Sequence, residues 1–210
     1  MLSYLSTNPL LFFIYLFSLF ITITIHEFAH AYTADQLGDP TPRLQNRLNI
    51  NPINHLDIYG LMFLLFFGFG WGKPVEIDIY NLKNPRKDSA LISLAGPISN
   101  FIIALIISIL LRLFNFFELN ILTTIGTFLF IPLIQINIIL GFFNLIPIHP
   151  LDGFKIIGGF LPEEKAKEWY QLQKYGFLFL FLLIFPFFGQ SFLDSFFKPI
   201  VSFLFSIFIP

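Results

Sequence analysis

Thr24-Ile25-His26-Glu27-Phe28-Ala29-His30-Ala31-Tyr32-Thr33-Ala34 closes an apolar run that carries no charged residue from Pro9 to Ile25. On an α-helix, residues four apart share a face, so His26 and His30 can bind one metal ion together. Glu27 sits one step round from His26, close enough to poise a metal-bound water. Charged and ionisable groups at the end of such a run are costly in lipid and mark a functional site. The stretch therefore predicts a zinc-dependent protease site held within a membrane.

Composition agrees. The 210 residues are 56% hydrophobic and only 12% charged, with 31 Phe, against roughly 25% charged residues in a soluble domain. Apolar surface on that scale faces lipid. A net charge of −1 gives no basis for nucleic-acid binding. Cysteine is absent, which removes disulfides, thiolate ligands and a cysteine nucleophile. Any metal must be held by His, Asp or Glu. No Lys or Arg precedes the first apolar run and no small-residue cleavage site follows it, so the run reads as a retained span.

The chain is expected to form a single domain, residues 1–210, with a core from about 8 to 160 and C-terminal helices over about 169–210. Apolar runs predict spans over about 8–34, 89–113 and 120–143, a fourth over about 169–188, and a last stretch, 192–210, that spans or lies in the interface. Asp194 and Lys198, four apart, are placed to pair. Alternation in Arg47-Leu48-Asn49-Ile50-Asn51 and in residues 73–80 predicts two strands. The thirteen residues between them, 60–72, are too short for a span and read as re-entrant. The expectation is an all-α polytopic membrane protein of about four to five transmembrane helices, with a membrane-associated β-hairpin and re-entrant segment.

Topology constrains the chemistry. If residues 60–72 turn back, the loops at 35–57, 73–88 and 145–174 share one side. That side holds ten of the twelve Lys and Arg, leaving Arg112 and Lys198 opposite. The positive-inside rule makes it cytoplasmic. It also brings Asp152 to the membrane face where His26 and His30 lie.

Catalytic zinc sites show three protein ligands and an open position. Candidates for the third are Asp35, Asp39, Asp57, Asp152, Glu118, His55 and His149. Asp152 stands at a break between membrane segments beside Gly153; Asp35 and Asp39 read as helix-end and turn residues, and Asp57 and His55 as weaker rivals in a polar loop. The bland alternative is a pair of core histidines at a helix end, which leaves buried polar groups in need of partners. His55 reads equally as a substrate-contacting group or as a loop histidine paired with Asp57. Asn100 and Asn137 read as interhelical hydrogen-bonding groups. A metal transporter would spread ligands over several depths, a diiron oxygenase would need more than four histidines, and a catalytically inactive scaffold would be expected to lack Glu27 or a ligand.

These residues resemble the site-2 protease family of intramembrane zinc metalloproteases. HEFAH matches its HExxH, Ala95-Gly96-Pro97 resembles the opening of its second helix, and Asn144 to Gly153 is similar to its N-x-x-P-x-x-x-L-D-G signature. Arg47 to Asp57 and Trp71 to Val75 resemble segments of short bacterial and archaeal members. His149 stands where Pro is common, which keeps it as an outside candidate for metal contact, and no PDZ domain is recognised. The resemblance implies one zinc ion held by His26, His30 and Asp152, Glu27 as catalytic base, and Asn144 near the substrate strand or oxyanion. It implies cleavage of a transmembrane protein substrate within the bilayer, in the cell membrane of a prokaryote, near the cytoplasmic face.

Overall fold

Asn8 starts the first long helix: its Oδ1 accepts the Leu11 amide at 3.1 Å, and Pro9 supplies the fixed φ of a first helical position. The computed structural model describes residues 2–67, 70–185 and 191–210, with the side chains of 2–4, 67, 192 and 194 outside the description. A short helix α1 (Leu2–Thr7) precedes α2 (Pro9–Gln36), and two one-turn helices follow, α3 (Thr41–Leu44) and α4 (Pro52–His55). Then come α5 (Ile58–Phe67), α6 (Pro85–Phe116), α7 (Asn120–Asn144), α8 (Asp152–Phe160), α9 (Glu163–Gln171), α10 (Gly176–Ile184) and α11 (Phe192–Phe208).

Among the described residues, α2, α6 and α7 are long and apolar enough to cross a membrane. They pack together, and their polar residues turn inward where lipid cannot solvate them. Tyr15 on α2 donates to Gln135 on α7 at 2.7 Å, and Asn137 on α7 donates to Thr22 Oγ1 on α2 at 2.9 Å. Ala104, Leu111, Ile134 and Ile138 form the apolar contact between α6 and α7.

The expected four to five spans are not found. At 1.5 Å per residue, α10 with nine residues is about 14 Å long, against a hydrocarbon core of about 30 Å. The run expected as one span over 169–188 is split instead. Its first part belongs to the charged helix α9, and a 3₁₀ turn at Leu172–Tyr175 separates that helix from α10. Helix α11 has 17 residues, about 26 Å against that hydrocarbon core, and lays Leu204, Phe205 and Phe208 against the α6/α7 contact. The end of the expected fourth span and the Asp194 side chain lie outside the described residues.

The expected β-hairpin is absent: the described residues contain no strand, only an isolated antiparallel bridge between Leu56 and Gly72. Over 47–51 the backbone is claimed by side chains. Asn49 Oδ1 accepts the Asn51 amide at 2.9 Å, and Asn51 Oδ1 caps α4 through the Ile53 amide at 3.2 Å. Residues 73–78 do run without helix, yet apart from the Lys73 amide, which donates to His55 O, their backbone hydrogen bonds go to the side chains of Glu27, Arg47 and Asp39 rather than to a neighbouring strand. Alternation had a simpler cause here: Ile77 packs against Ala34, Leu82 and Ile92.

The apolar excursion from residue 57 to 71 closes on itself. Lys73 N–H donates to His55 O at 2.9 Å beside the Leu56–Gly72 bridge, so the chain returns to the point it left. Phe63 and Trp71 meet inside it with ring centroids 5.4 Å apart. The loops after α2 and α7 consequently lie at one end of the bundle.

Candidate metal centre

His26 and His30 stand six to ten residues before the end of α2, roughly 9–15 Å below it. Both are buried, and their rings meet edge to face at 4.6 Å. Asp152, first residue of α8, reaches them from the other end of the sequence. Gly153 makes that entry possible: a Cβ there would strike the Leu145 and Ile146 carbonyl oxygens that close α7. The α8 N-terminus also favours an anion. Helix α8 is in turn held by α9, whose Trp169 stacks on Phe154 and donates to its carbonyl at 2.8 Å.

Three donor atoms converge. His26 Nε2 and His30 Nε2 are 3.0 Å apart, and each is 3.2 Å from Asp152 Oδ2. Zinc bonds of roughly 2.0–2.2 Å set tetrahedrally separate donor atoms by about 3.3–3.6 Å. The triangle therefore fits one small cation with little adjustment, and its N₂O donor set suits zinc. His30 Nδ1 lies 2.7 Å from Ile92 O, which can only accept, so the proton sits on Nδ1 and the Nε2 lone pair faces the triangle. Burial alone would raise the Asp152 carboxyl; when the imidazoles are protonated, the His30 charge and the hydrogen bonds from His26 and His30 outweigh it and hold the group well below the usual carboxylate range.

Glu27 is beside the triangle and outside it. Its Oε2 accepts the Val75 amide at 3.2 Å, with Arg47 Nη2 at 4.0 Å. Arg47 is almost completely buried and donates to the Asn54 and Lys73 carbonyls, so it ties the 73–78 segment over the carboxylate. The alternation that predicts a strand here assigns Arg47 no role; its place at the head of the family-like segment Arg47 to Asp57 is the sequence signal for it.

The other candidate ligands are accounted for elsewhere, Glu118 in the turn between α6 and α7 and outside the donor cluster. Asp35 pairs with Arg43 through contacts of 2.9 and 2.6 Å, and Asp57 caps α5 through the Tyr59 and Gly60 amides. Asp39 is a fully buried hub accepting from Thr41, Asp78 and Asn81. His149 packs its ring on Phe154 and Phe177 and is not in the donor cluster. His55 does not pair with Asp57: its Nε2 meets Asn49 O at 2.7 Å, and burial pushes its imidazole down. Asn144 ends α7 with its amide donating to Leu140 O at 3.0 Å. Among the described residues no hydrogen bond joins it to the triangle. Asn137 does bridge helices, whereas Asn100 lies 3.2 Å from His26 Nδ1. Gly96 on α6, in the stretch that resembles the opening of the family's second helix, faces the histidine pair: a Cβ there would meet His30 Cε1 at 2.5 Å and His26 Cε1 at 2.6 Å.

Comparison with known proteins gives a consistent family. The family model for peptidase family M50 matches residues 14–185. The chain is 41% identical over 173 residues to a protein of Bacillus subtilis named putative zinc metalloprotease YwhC, covering 80% of this chain and 79% of that one. It is 31% identical over 146 residues to zinc metalloprotease MJ0392 of Methanocaldococcus jannaschii, covering 70% of this chain and 34% of that one. Putative zinc metalloprotease Rip2 of Mycolicibacterium smegmatis is 26% identical over 170 residues, with 78% and 63% covered. No solved structure matches. With HExxH on a membrane helix, Asp152 brought to it from α8, and a family match over most of its length, this chain belongs to peptidase family M50, the site-2 protease family.

Proposed function

We propose that the protein is a zinc-dependent intramembrane endopeptidase that hydrolyses a peptide bond in or near a transmembrane segment of a membrane-protein substrate. The observation that carries this reading is the donor triangle of His26, His30 and Asp152, with edges of 3.0–3.2 Å, set below the end of a membrane-length helix with Glu27 alongside. His26, His30 and Asp152 would hold one zinc ion. When bound, zinc supplies the Lewis acidity that makes water nucleophilic near neutral pH and polarises a carbonyl.

The chain's own residues supply the rest. Glu27 takes the proton of the attacking water on its carboxylate and passes it to the leaving amine. The Val75 amide and the Arg47 guanidinium hold that carboxylate in place. Asn144 spends one of its two amide hydrogens on Leu140 O; the other is available to a substrate carbonyl or an oxyanion. A transmembrane substrate must unwind locally, because its carbonyls are bonded within its own helix. The depth of the histidines below the helix end favours access for water from the loop side. The charge-rich loops at that end point to the cytoplasmic face of a prokaryotic cell membrane.

The test is Glu27→Gln in the purified full chain, with zinc content and cleavage of a reconstituted single-span substrate measured together. Cleavage should fall at least a thousandfold with zinc content unchanged. Full activity in the variant would sink the assignment of Glu27, and a parental protein without zinc would sink the metal reading.

A further inference from the structure

Three residues of α6 line up against the histidine pair of α2. Ile92, Gly96 and Asn100 are spaced i, i+4, i+8, so they share one face of the helix. Ile92 O receives the His30 Nδ1 proton, and Gly96 leaves room for both rings. Asn100 stands behind His26 as Ile92 stands behind His30: its Nδ2 lies 3.2 Å from His26 Nδ1, and the side chain is fully buried.

The end of the carboxamide that faces the ring decides where the His26 proton sits. With Nδ2 toward the ring, the amide donates to Nδ1, and the imidazole proton is left on Nε2, directed at Asp152. Asn100 Oδ1 is then a buried oxygen without a hydrogen-bond partner among the described residues. A half-turn of the carboxamide exchanges the two ends. Oδ1 then accepts the His26 Nδ1 proton, and the Nε2 lone pair turns toward His30 Nε2 and Asp152 Oδ2. Only this arrangement leaves both Nε2 atoms of the triangle unprotonated, as metal ligation requires.

We infer that Asn100 is a positioning residue of the metal centre, its carboxamide oxygen fixing the tautomer and ring orientation of His26. The inference rests on the metal reading above. Helix α6 is thus the outer layer of the centre, contributing a backbone acceptor, a gap and a side-chain acceptor at successive turns.

The experiment uses the full chain in nanodiscs and compares Asn100→Asp, Asn100→Leu and, as a control, Asn137→Leu. Asn137 is also fully buried in the bundle, but it bonds Thr22 and Leu133 rather than a metal-facing ring. Zinc affinity is measured by chelator competition, and Co²⁺ loading is followed by its visible absorption. An aspartate offers the same acceptor, so Asn100→Asp should bind zinc within about threefold of the parent and keep the parental Co²⁺ bands. Asn100→Leu should bind about 10- to 100-fold more weakly with altered bands, and Asn137→Leu should bind like the parent. Parental affinity in Asn100→Leu overturns the inference. So does a folded Asn100→Asp that loses metal as far as the leucine variant, since the group offered to His26 would then be the NH₂. Either Asn100 variant decides alone if the other does not fold. A parent that binds no zinc overturns the metal reading as well, whereas a zinc-loaded parent with an indifferent Asn100→Leu overturns this inference only.

Discussion

Gly96→Ala adds one methyl group and should empty the metal centre. The new Cβ would lie 2.5 Å from His30 Cε1 and 2.6 Å from His26 Cε1, and still nearer His30 Nε2. Ordinary carbon–carbon contact is about 3.5 Å, so both rings must retreat by about 1 Å. Neither is free to do so cheaply, because Ile92 O holds His30 and Asn100 stands against His26. Metal–ligand distances tolerate about 0.2 Å, so rings displaced by about 1 Å no longer ligate. Loss of a group that only supports a ligand costs about 10- to 100-fold in affinity, and zinc affinity should fall here by at least about a hundredfold. Helix propensity works in the opposite direction, since alanine exceeds glycine by about 1 kcal/mol in a helix interior. Overpacking a buried site costs about 1–3 kcal/mol, so the metal-free variant should be folded and at most about 2 kcal/mol less stable than the metal-free parent. The assay is zinc per chain by mass spectrometry, chelator competition, and circular dichroism through thermal unfolding. A Gly96→Ala protein with parental zinc affinity would refute the placement of the two rings against α6.

Further outcomes can be stated briefly. Arg47→Met leaves the Asn54 and Lys73 carbonyls without their shared donor, at about 1–3 kcal/mol each. Limited proteolysis should cut the 73–78 segment faster, and Arg47→Lys should not rescue it, because one ammonium does not reproduce the fork. For Asp39, burial alone would raise the carboxyl, but hydrogen bonds from the Thr41 hydroxyl, the Asn81 amide and the Thr41 and Asp78 backbone hold it below its ordinary value. A folded pKa below the unfolded one contributes stability above the ordinary carboxylate range and loses it as pH falls through the folded value. Protease protection of residues 37–84 should thus fade below about pH 4, and Asp39→Asn should show the acid behaviour already at pH 7. The chain has no native cysteine, so Tyr80→Cys, Glu164→Cys and Glu118→Cys can be labelled singly. The first two should label from the cytoplasmic side and the third from the opposite side; labelling of Tyr80→Cys and Glu164→Cys from different sides would overturn the returning path of residues 57–72.

Local patterns were readable where one chemistry dominates. Long uncharged runs must satisfy their backbone internally in lipid, so α2, α6 and α7 follow from the sequence with boundaries within a few residues. The weaker patterns misled. Alternation at 73–80 looked like a strand, but the backbone there is bonded by Glu27, Arg47 and Asp39, which lie 35 or more residues away in the cases of Asp39 and Glu27. The apolar run that begins at Gly176 predicts a span when extended back to Trp169, but Gln171, Gln173 and Lys174 interrupt that extension, and Trp169 belongs to α9 and stacks on Phe154.

The sequence by itself determined that a histidine pair and a carboxylate share a helix in an apolar setting, because helical periodicity and the cost of charge in lipid leave little choice. It also singled out Asp152 as a partner, through the break that precedes α8 and a family-like motif. Only the tertiary structure decided that the three donor atoms lie 3.0–3.2 Å apart and that Arg47 and Val75 hold Glu27. Only it set Ile92, Gly96 and Asn100 behind the histidines. The physical reason is reach: periodicity describes neighbours within a turn or two of one helix. The centre is made by side chains up to 126 residues apart, from His26 to Asp152, whose meeting depends on how α2, α6 and α8 pack.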